Sequence, residues 1–435
     1  MYQLGNSKFD TSHANARQLL ATAHSKQERP LCLCKTPPIP MYIAKHGDLF
    51  LVKRMPGTGF KHSPDCESYE PPAELSGLGE VAGAAIQENV EDGTVALRLD
   101  FALSKQGARI APAPAESEKD TARTDGKKLT LRGVLHYLWD QAGFTRWAPA
   151  MEGKRNWRTI QKYLTQAASD KTAKGAALDA SLFVPESFDK EQWDAIKQRR
   201  GTKLAPLSKA GGARKLMIVV GEVKAIDRGR YDMDLIVKHL PDMKFTLNAD
   251  IHRRLEKRFE RELSMWKREA DGHLIVIATF GLNSAGYAVI EEAALMFTDK
   301  HWLPCENVNE MNLLKTLVDA ERHFSKGLRY NLPASRPMAF AVMHDTRPLP
   351  VALYVLPADC PDGYEQAFND LVQNSHLAGW YWRPPQALPD LPALDGYSSM
   401  EAPTLAATEE TVSSAAAGDD DAEGSNTPAH GDEPA

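Results

Sequence analysis

The chain has 435 residues, five cysteines and a formal net charge of −6 at pH 7. This length allows two to four compact units of about 100–200 residues each, and so few cysteines argue against a framework of disulfides. No run of eighteen apolar residues is present, so we expect no membrane span, and the first ten residues lack the basic and apolar regions of a secretory signal. These features predict a cytoplasmic protein.

The charge is unevenly distributed along the chain. From Ser399 onward there are nine acidic residues and no Lys or Arg, which leaves the first 398 residues at +3. A stretch this rich in Ser, Ala, Thr and acids buries too little apolar surface to fold. Residues 399–435 are therefore predicted to be a disordered acidic tail, which screens a mildly basic body or contacts protein partners.

The N-terminal region is predicted to cover residues 1–102 and to contain a zinc-ribbon-like module between about residues 30 and 72. In MYIAKHGDLFLVKRM, two apolar runs flank the turn at His46, Gly47 and Asp48, a pattern that predicts a β-hairpin. Residues 103–128 are rich in Ala, Pro and charged residues without a hydrophobic period, which predicts a disordered linker.

Two further units are predicted from the alternation of helical and strand patterns. Residues 129–270 are expected to form a basic helical and strand segment, with helices in LTLRGVLHYLWDQAGF and WRTIQKYLTQAA, strands in KLMIVVGEVKAI and DMDLIVKH, and one amphipathic helix from Ala249. Residues 271–398 are expected to form a mixed α/β unit, because strands and helices alternate there. The predicted fold class is α+β multidomain.

The strongest chemical signal is a set of metal-ligating residues. Cys32 and Cys34 form a C-x-C pair, and after 27 residues His62 and Cys66 form an H-x3-C pair. Zn²⁺ prefers four tetrahedral thiolate and imidazole ligands, and a complete set of four leaves no open position for a catalytic water. Because the predicted hairpin brings both pairs together, the sequence predicts a structural zinc site. Chance coincidence of three cysteines and a histidine is the alternative.

The other uses of cysteine are less well supported by the pattern. A redox pair at Cys32 and Cys34 would lack the C-x-x-C arrangement at a helix start. Cys305 and Cys360 stand alone in apolar surroundings, which predicts buried free thiols.

A basic, tryptophan-rich segment lies between Lys127 and Lys162, where eight basic residues face two acids. Two helices joined by a loop there predict a helix-turn-helix-like arrangement that contacts DNA. The alternative is a helical hairpin with Trp in its core and a solvated basic face. The nucleic-acid-binding residues predicted from this segment are Arg132, Lys154, Arg155, Trp157 and Arg158.

One strand carries a candidate active site. Glu222 and Lys224 lie one residue apart at the end of an apolar strand, which predicts that both side chains point to one face. With a further acid they could bind Mg²⁺ and activate water. Solvated strand-end residues are the alternative, and the sequence favours a protein that is not an enzyme.

The C-terminal third resembles the restriction-endonuclease-like domain of competence-protein CoiA relatives. The resemblance rests on a helix, F-x-K-G-L-R-Y-N, paired strands, a further helix and GWYWRP. It implies acids on the first and second strands, but Met338-Ala339-Phe340 and Tyr354 stand there, and Asp345 lies in the turn between the strands. A nuclease-like fold without nuclease chemistry is therefore expected.

The full chain resembles the bacterial domain of unknown function family 1173. The stretches that carry this resemblance are CLC…HSPDC, LRGVLHYLWDQAGFTRWAPAMEGKRNW, GEVKAI, ATFG, EEAALM and KGLRYNLP. The resemblance implies a protein of plasmids and integrative conjugative elements. With the residues above, it predicts a zinc-stabilised nucleic-acid-binding accessory factor of a mobile element, with an inactive nuclease-like fold. The alternatives are a Mg²⁺-dependent nuclease using Glu222 and Lys224, and a protein scaffold.

Overall fold

The computed structural model describes residues 1–13, 15–46, 48–90, 93–105, 126–208, 214–230 and 232–403. These residues form ten α-helices and several β-sheets, which confirms the α+β class. No helix in these ranges combines the length and apolarity that a bilayer crossing requires.

The N-terminal region is built on a five-stranded sheet with the order β2-β1-β3-β4-β5. Its elements are β1 (Tyr2–Leu4), β2 (Ser7–Phe9), α1 (Ala16–Ser25), β3 (Leu31–Cys32), β4 (Ile39–His46) and β5 (Leu49–Arg54). Strands β4 and β5 pair antiparallel from Met41 with Arg54 to His46 with Leu49, so the predicted hairpin is confirmed. The first 28 residues were too polar for an assignment, yet they contain β1, β2 and α1.

The middle of the chain forms short strands around three longer helices. The elements are α2 (Leu78–Val81), β6 (Ile86–Glu88), β7 (Val95–Leu97), β8 (Ser104–Lys105), α3 (Leu131–Gln141), β9 (Arg146–Trp147), α4 (Trp157–Ala168), β10 (Lys171–Ala173), β11 (Ala176–Ala177), α5 (Leu178–Ser181), β12 (Leu182–Phe183), α6 (Trp193–Leu204) and β13 (Arg214–Lys215). Strands β11, β10, β7 and β6 form one sheet. Of the predicted linker, residues 106–125 lie outside the described residues, whereas β8 at its start pairs with β13.

Helices α3 and α4 begin where polar side chains cap them. The hydroxyl of Thr130 accepts a hydrogen bond from the amide of Gly133, and the side chain of Asn156 accepts one from the amide of Thr159. The two predicted helices are confirmed, but a short turn does not join them. Residues 142–156 connect them and include β9, which pairs with a strand of the C-terminal sheet. The arrangement therefore differs from a helix-turn-helix, whose turn has three or four residues.

A closed five-stranded barrel occupies the centre of the molecule. Its elements are β14 (Met217–Arg228), β15 (Met233–Val237), β16 (Lys244–Leu247), α7 (Ala249–Arg258), α8 (Glu260–Arg268), β17 (His273–Leu282) and β18 (Ala288–Thr298). Each strand pairs with the next in the order β14-β15-β16-β18-β17, and β17 pairs with β14 to close the ring. All pairings within the ring are antiparallel except that of β16 with β18.

Strand β14 pairs with two other strands of the ring, and these pairings close the barrel. Its first half pairs with β17 and its second half with β15. A Cβ atom at Gly221, near the crossover, would lie 2.7 Å from a methyl carbon of Val237, so the close approach of β15 requires glycine there. Phe245 and Phe280 meet edge to face between the strands, with ring centroids 5.1 Å apart. The apolar runs that predicted these strands are buried here.

The helical stretch after β16 differs from its prediction in one respect. A single helix was expected, but the chain forms α7 and α8 on either side of Phe259, which has φ −119° and ψ 32°. The ring of Phe259 is buried in the main hydrophobic core. The apolar face is thus preserved across the break.

The C-terminal sheet has the order β22-β21-β20-β19-β9. Its elements are α9 (Val308–Asp319), β19 (Phe324–Lys326), β20 (Ala341–Met343), β21 (Val351–Val355), α10 (Tyr364–Asn374) and β22 (Ala378–Trp382). The unit boundary predicted between residues 270 and 271 falls inside the barrel, because β14 pairs with β17 across it. Of the predicted tail, residues 404–435 lie outside the described residues. Ser399 and Met400 at its start hydrogen-bond to Gly379.

Candidate functional site

The four predicted metal ligands come together at one end of the N-terminal sheet. Cys32 ends β3, Cys34 follows it, and His62 and Cys66 lie in the turns after β5. Their ligand atoms all lie within 4.8 Å of one another. The hairpin of β4 and β5 is responsible, because it returns the chain to its starting edge.

The spacing inside this group, which we call the Cys₃His cluster, is that of a coordination shell. Sγ of Cys32 lies 3.7 Å from Sγ of Cys66. Nδ1 of His62 lies 3.4 Å from Sγ of Cys34 and 3.7 Å from Sγ of Cys66. The amide of Ser63 also approaches Sγ of Cys34 at 3.5 Å. This geometry can hold a metal ion.

Electrostatics in the Cys₃His cluster favour a bound cation. Burial raises the pKa of the Cys32 thiol to about 12, and the adjacent Cys66 contributes in the same direction. Burial lowers the pKa of His62, with smaller contributions from Arg54 and Lys35, so the imidazole is neutral and its lone pair is available. Since a thiolate needs a positive partner here, a metal ion would supply it.

Ion pairs and hydrogen bonds fix the Cys₃His cluster to the rest of the chain. The guanidinium of Arg54 pairs with the carboxylate of Glu70, just beyond Cys66. The guanidinium of Arg146 donates to the carbonyl oxygens of Glu67 at 2.8 Å and Tyr69 at 2.9 Å. These contacts make the metal module one wall of a cavity of about 590 Å³, which α3, α4 and β10 close on the other side.

Three of the five predicted nucleic-acid-binding residues are engaged inside the protein. Arg132 donates to the carbonyl oxygens of Tyr330 and Leu332, both at 3.0 Å. Trp157 is buried, and its indole N–H donates to the carbonyl oxygen of Pro185 at 2.8 Å. The third of these residues is Arg155.

The side chain of Arg155 holds separate backbone segments together through hydrogen bonds. Its guanidinium donates to the carbonyl oxygens of Phe144 at 3.1 Å and His301 at 3.2 Å, and also to that of Arg146. It lies 5.6 Å from the ring centroid of Phe144, and burial lowers the pKa of Arg155 to about 10. Because these contacts satisfy its donors, Arg155 is not presented to a phosphate.

Lys154 and Arg158 are the exposed members of the predicted set. They flank Trp157, whose indole stacks on the ring of His239 with centroids 5.5 Å apart and planes at 16°. His239 belongs to the loop between β15 and β16. The start of α4 therefore contacts a loop of the barrel, with Lys154 just before this helix and Arg158 in its first turn.

Glu222 and Lys224 do not form the pair that the sequence suggested. The register of β14 shifts between Val223 and Ala225, which interrupts the alternation on which that prediction depended. Glu222 is buried and accepts hydrogen bonds from Lys238 and from Nδ1 of His273, the latter at 2.7 Å, whereas Lys224 is exposed.

The charge state of Glu222 follows from these partners. Burial by itself raises its pKa, but the hydrogen bonds from His273 and Lys238 outweigh burial and hold the pKa of Glu222 below its ordinary value. The ring of His273 in turn stacks on Trp302 with centroids 3.8 Å apart. Glu222 is thus an ionised carboxylate whose hydrogen bonds are made to Lys238 and His273 within the protein.

No second metal site is found among the described residues. The Cys₃His cluster is the one group there in which three or more His, Cys, Asp or Glu ligand atoms converge. Asp345 is held by Arg322 through two hydrogen bonds of 2.9 and 3.0 Å. Cys305 and Cys360 are free thiols, buried and half-buried.

The sequence reasoning missed the outer face of the barrel, formed by β15, β16 and the start of β18. Tyr287, in the turn before β18, is 68% exposed. The register pairs Phe245 with Ala288, so Tyr287 lies beside the exposed Lys244. The string YAVIEEAALMFT was correctly predicted as a strand, but only the strand order shows that Tyr287 adjoins β16.

The comparisons with known proteins give one match. A family model described as protein of unknown function (DUF1173) matches residues 2–385. Neither the curated proteins nor the solved structures yield a match.

Proposed function

The chain belongs to the family described as protein of unknown function (DUF1173), and we propose that it is a nucleic-acid-binding accessory factor with a zinc-stabilised N-terminal module. The observation that carries this proposal is the connection order of the barrel. The implied setting of plasmids and integrative conjugative elements makes DNA the first ligand to test.

The barrel has the topology of an OB-type fold. Numbered from its first strand, its strands pair in the order 1-2-3-5-4 and back to 1, strands 3 and 5 run parallel, and helices α7 and α8 lie between strands 3 and 4. Barrels of this type bind oligonucleotides and oligosaccharides on the face of strands 2 and 3 and its flanking loops. Because a fold alone does not determine function, the residues on that face must support the assignment.

Charge favours nucleic acid over a neutral sugar. The barrel face carries the exposed Lys244, and Arg228 is exposed at the end of β14, next to the loop that leads into β15. Lys154 and Arg158 border the same barrel through the contact of Trp157 with His239. These cations can neutralise phosphates, which supply most of the affinity of non-specific binding.

Zinc is the metal that the Cys₃His cluster fits best. Zn–S bonds of about 2.3 Å and a Zn–N bond of about 2.0–2.1 Å place tetrahedral ligand atoms about 3.8 Å (S to S) and 3.6 Å (S to N) apart. In the cluster, Cys32 and Cys66 are 3.7 Å apart, His62 lies 3.4 and 3.7 Å from Cys34 and Cys66, and all the ligand atoms lie within 4.8 Å of one another. When bound, the ion would hold the ends of the hairpin together, and four protein ligands leave it no catalytic position.

The C-terminal sheet supports an inactive nuclease-like fold as part of the same proposal. A helix, three strands, a helix and a strand follow one another as α9, β19, β20, β21, α10 and β22, an order compatible with the CoiA-like resemblance. Tyr354 stands where that resemblance implies an acid, and its ring is buried against Tyr381 and Phe368. A nuclease using Glu222 and Lys224 is less well supported, because Glu222 is bound by His273 and Lys238.

Fluorescence anisotropy of labelled DNA tests the proposal. The zinc-loaded full chain should bind DNA, and log K should fall linearly with log salt because phosphate contacts release counterions. The absence of binding at low salt, or binding that is indifferent to salt, would refute nucleic-acid binding. A parallel incubation with Mg²⁺ or Mn²⁺ should leave the DNA uncut; cleavage abolished by Glu222→Gln would instead favour the nuclease.

A further inference from the structure

We infer that the ligand of the barrel is a single strand of nucleic acid, and that Tyr287 provides the surface on which one of its bases stacks. This inference rests on the proposed function and specifies its site and ligand class. It is carried by the exposure of Tyr287, by its position beside β16, and by the composition of the surrounding face.

Tyr287 is the most exposed large apolar side chain among the described residues. The turn that carries it is held by Asn283, whose side chain accepts hydrogen bonds from the backbone amides of Ala285 at 3.0 Å and Tyr287 at 2.9 Å. The turn thus holds in solvent an aromatic ring that is not packed in the protein core. Such rings are the stacking surfaces of single-strand-binding OB folds.

The neighbouring side chains suit a backbone that follows this face. Lys244 is 61% exposed and is paired with Asp234 at 3.2 Å. Ile236 and Thr246 point outward between Tyr287 and the loop after Arg228, because Leu235, Val237, Phe245 and Leu247 point into the barrel. The face therefore runs from Tyr287 and the Lys244–Asp234 ion pair at one end to Arg228, next to the exposed Asp227, at the other. A strand with alternating bases and phosphates matches that sequence of groups.

A nucleic-acid duplex does not match this face of the barrel. In a duplex both faces of an internal base are covered by its neighbours, so no face is free for Tyr287. A single strand can turn its bases outward and stack them on aromatic side chains. Because Lys244 on this face is paired with Asp234, stacking should supply a larger share of the affinity than phosphate contacts.

The test compares affinities of the full-length zinc-loaded protein for labelled oligothymidylate, oligouridylate and a duplex of the same length, about 20 nucleotides. We expect both single strands to bind more tightly than the duplex. In a series of shorter oligothymidylates, affinity should reach a plateau within about 4–16 nucleotides, the site size of one OB fold. Tyr287→Ala should weaken single-strand binding about 5- to 150-fold, the range for one base stacked on an aromatic ring.

Two variants make the result specific to this ring. Tyr287→Phe keeps the aromatic face and should retain the affinity. Tyr163→Ala removes another exposed tyrosine, on α4, and should leave the affinity within about two-fold. Equal or tighter binding of the duplex, or an unchanged affinity in Tyr287→Ala, would overturn the inference while leaving nucleic-acid binding in place. The absence of binding to every probe would overturn both.

Discussion

Sγ of Cys34 lies 3.4 Å from Nδ1 of His62, although 27 residues separate them in the chain. Both atoms belong to the Cys₃His cluster, and the module that carries it is joined to the rest of the chain by Arg146, which donates to the carbonyl oxygens of Glu67 and Tyr69. The geometry of this group and the geometry of the cavity wall beside it therefore depend on each other.

Cys34→Ser should abolish stoichiometric metal binding. The purified protein should contain about one zinc per chain, since four ligands form one closed site, and the variant should lose most of it because three ligands hold the ion poorly. Elemental analysis after gel filtration measures the ratio. Cys360→Ser, a free and half-buried thiol away from the cluster, is the matched control and should keep its zinc. Equal zinc in both variants would contradict the assignment of Cys34 as a ligand.

The Cys₃His cluster and the barrel were not equally easy to predict from the sequence. Cys32, Cys34, His62 and Cys66 are recognisable because coordination chemistry restricts both residue type and spacing. Most barrel strands were also predicted, since β14 and β17 are continuous apolar runs. Their closure was not, because the pairing of β16 with β18 joins segments that two helices and a strand separate. Pairing of that kind leaves no local pattern.

In the basic segment, by contrast, the sequence did not predict what most of the candidate residues contact. Charge counting predicts that an arginine is solvated or bound to a phosphate, and Arg158 is indeed exposed. It cannot predict that Arg132 and Arg155 each donate to main-chain carbonyl groups, because those acceptors are contributed by distant segments near Tyr330 and His301. A buried polar group needs a hydrogen-bond partner wherever the fold supplies one. The residue type alone does not specify which.

Arg155→Ala should destabilise the protein, whereas Arg158→Ala should not. Removing the Arg155 guanidinium leaves carbonyl oxygens of Phe144, Arg146 and His301 without their donors, at a cost of about 2–4 kcal/mol. Arg158 is exposed, so its loss should change the free energy of unfolding by less than about 0.5 kcal/mol. Urea unfolding followed by tryptophan fluorescence measures both values.

The same two variants separate structure from binding. Arg158→Ala should weaken DNA binding several-fold and reduce the salt slope by about 0.7 for a single strand, the value for one lost phosphate contact. Folded Arg155→Ala should keep its salt slope, because its guanidinium faces the backbone. If Arg155→Ala reduced the slope and left stability intact, Arg155 would be a phosphate ligand after all.

Glu222→Gln should lower stability at neutral pH, and the difference should disappear in acid. The folded pKa of Glu222 lies below its ordinary value, so the ionised carboxylate stabilises the fold fully above the unfolded pKa of about 4.3. That contribution is lost as the pH falls through the lower folded value. We expect a deficit of about 1–3 kcal/mol at pH 7, typical of hydrogen bonds to a charged group.

Denaturant midpoints of the wild type and Glu222→Gln between pH 7 and pH 3 measure this difference. The two curves should converge toward the acid end, because the protonated carboxyl group of Glu222 and the amide that replaces it in the variant are then both neutral. Lys224→Gln is the control, since Lys224 is exposed, and its difference from the wild type should stay small at every pH. A deficit that grows in acid would have the wrong sign for a carboxylate with a lowered pKa.

Deletion of residues 404–435 should strengthen nucleic-acid binding without changing the stability of the fold. The deleted segment holds eight acids and no Lys or Arg, so the formal net charge changes from −6 to +2. Ser399 and Met400, which hydrogen-bond to Gly379 in β22, are retained. Because the removed charges repel phosphates, affinity should rise at low salt and the gain should shrink as screening increases. Anisotropy titrations of the full and shortened chains at several salt concentrations measure this change in affinity. If the shortened chain bound with equal or lower affinity at low salt, screening by the tail would be excluded. A contact between the tail and protein partners would then be the hypothesis to test.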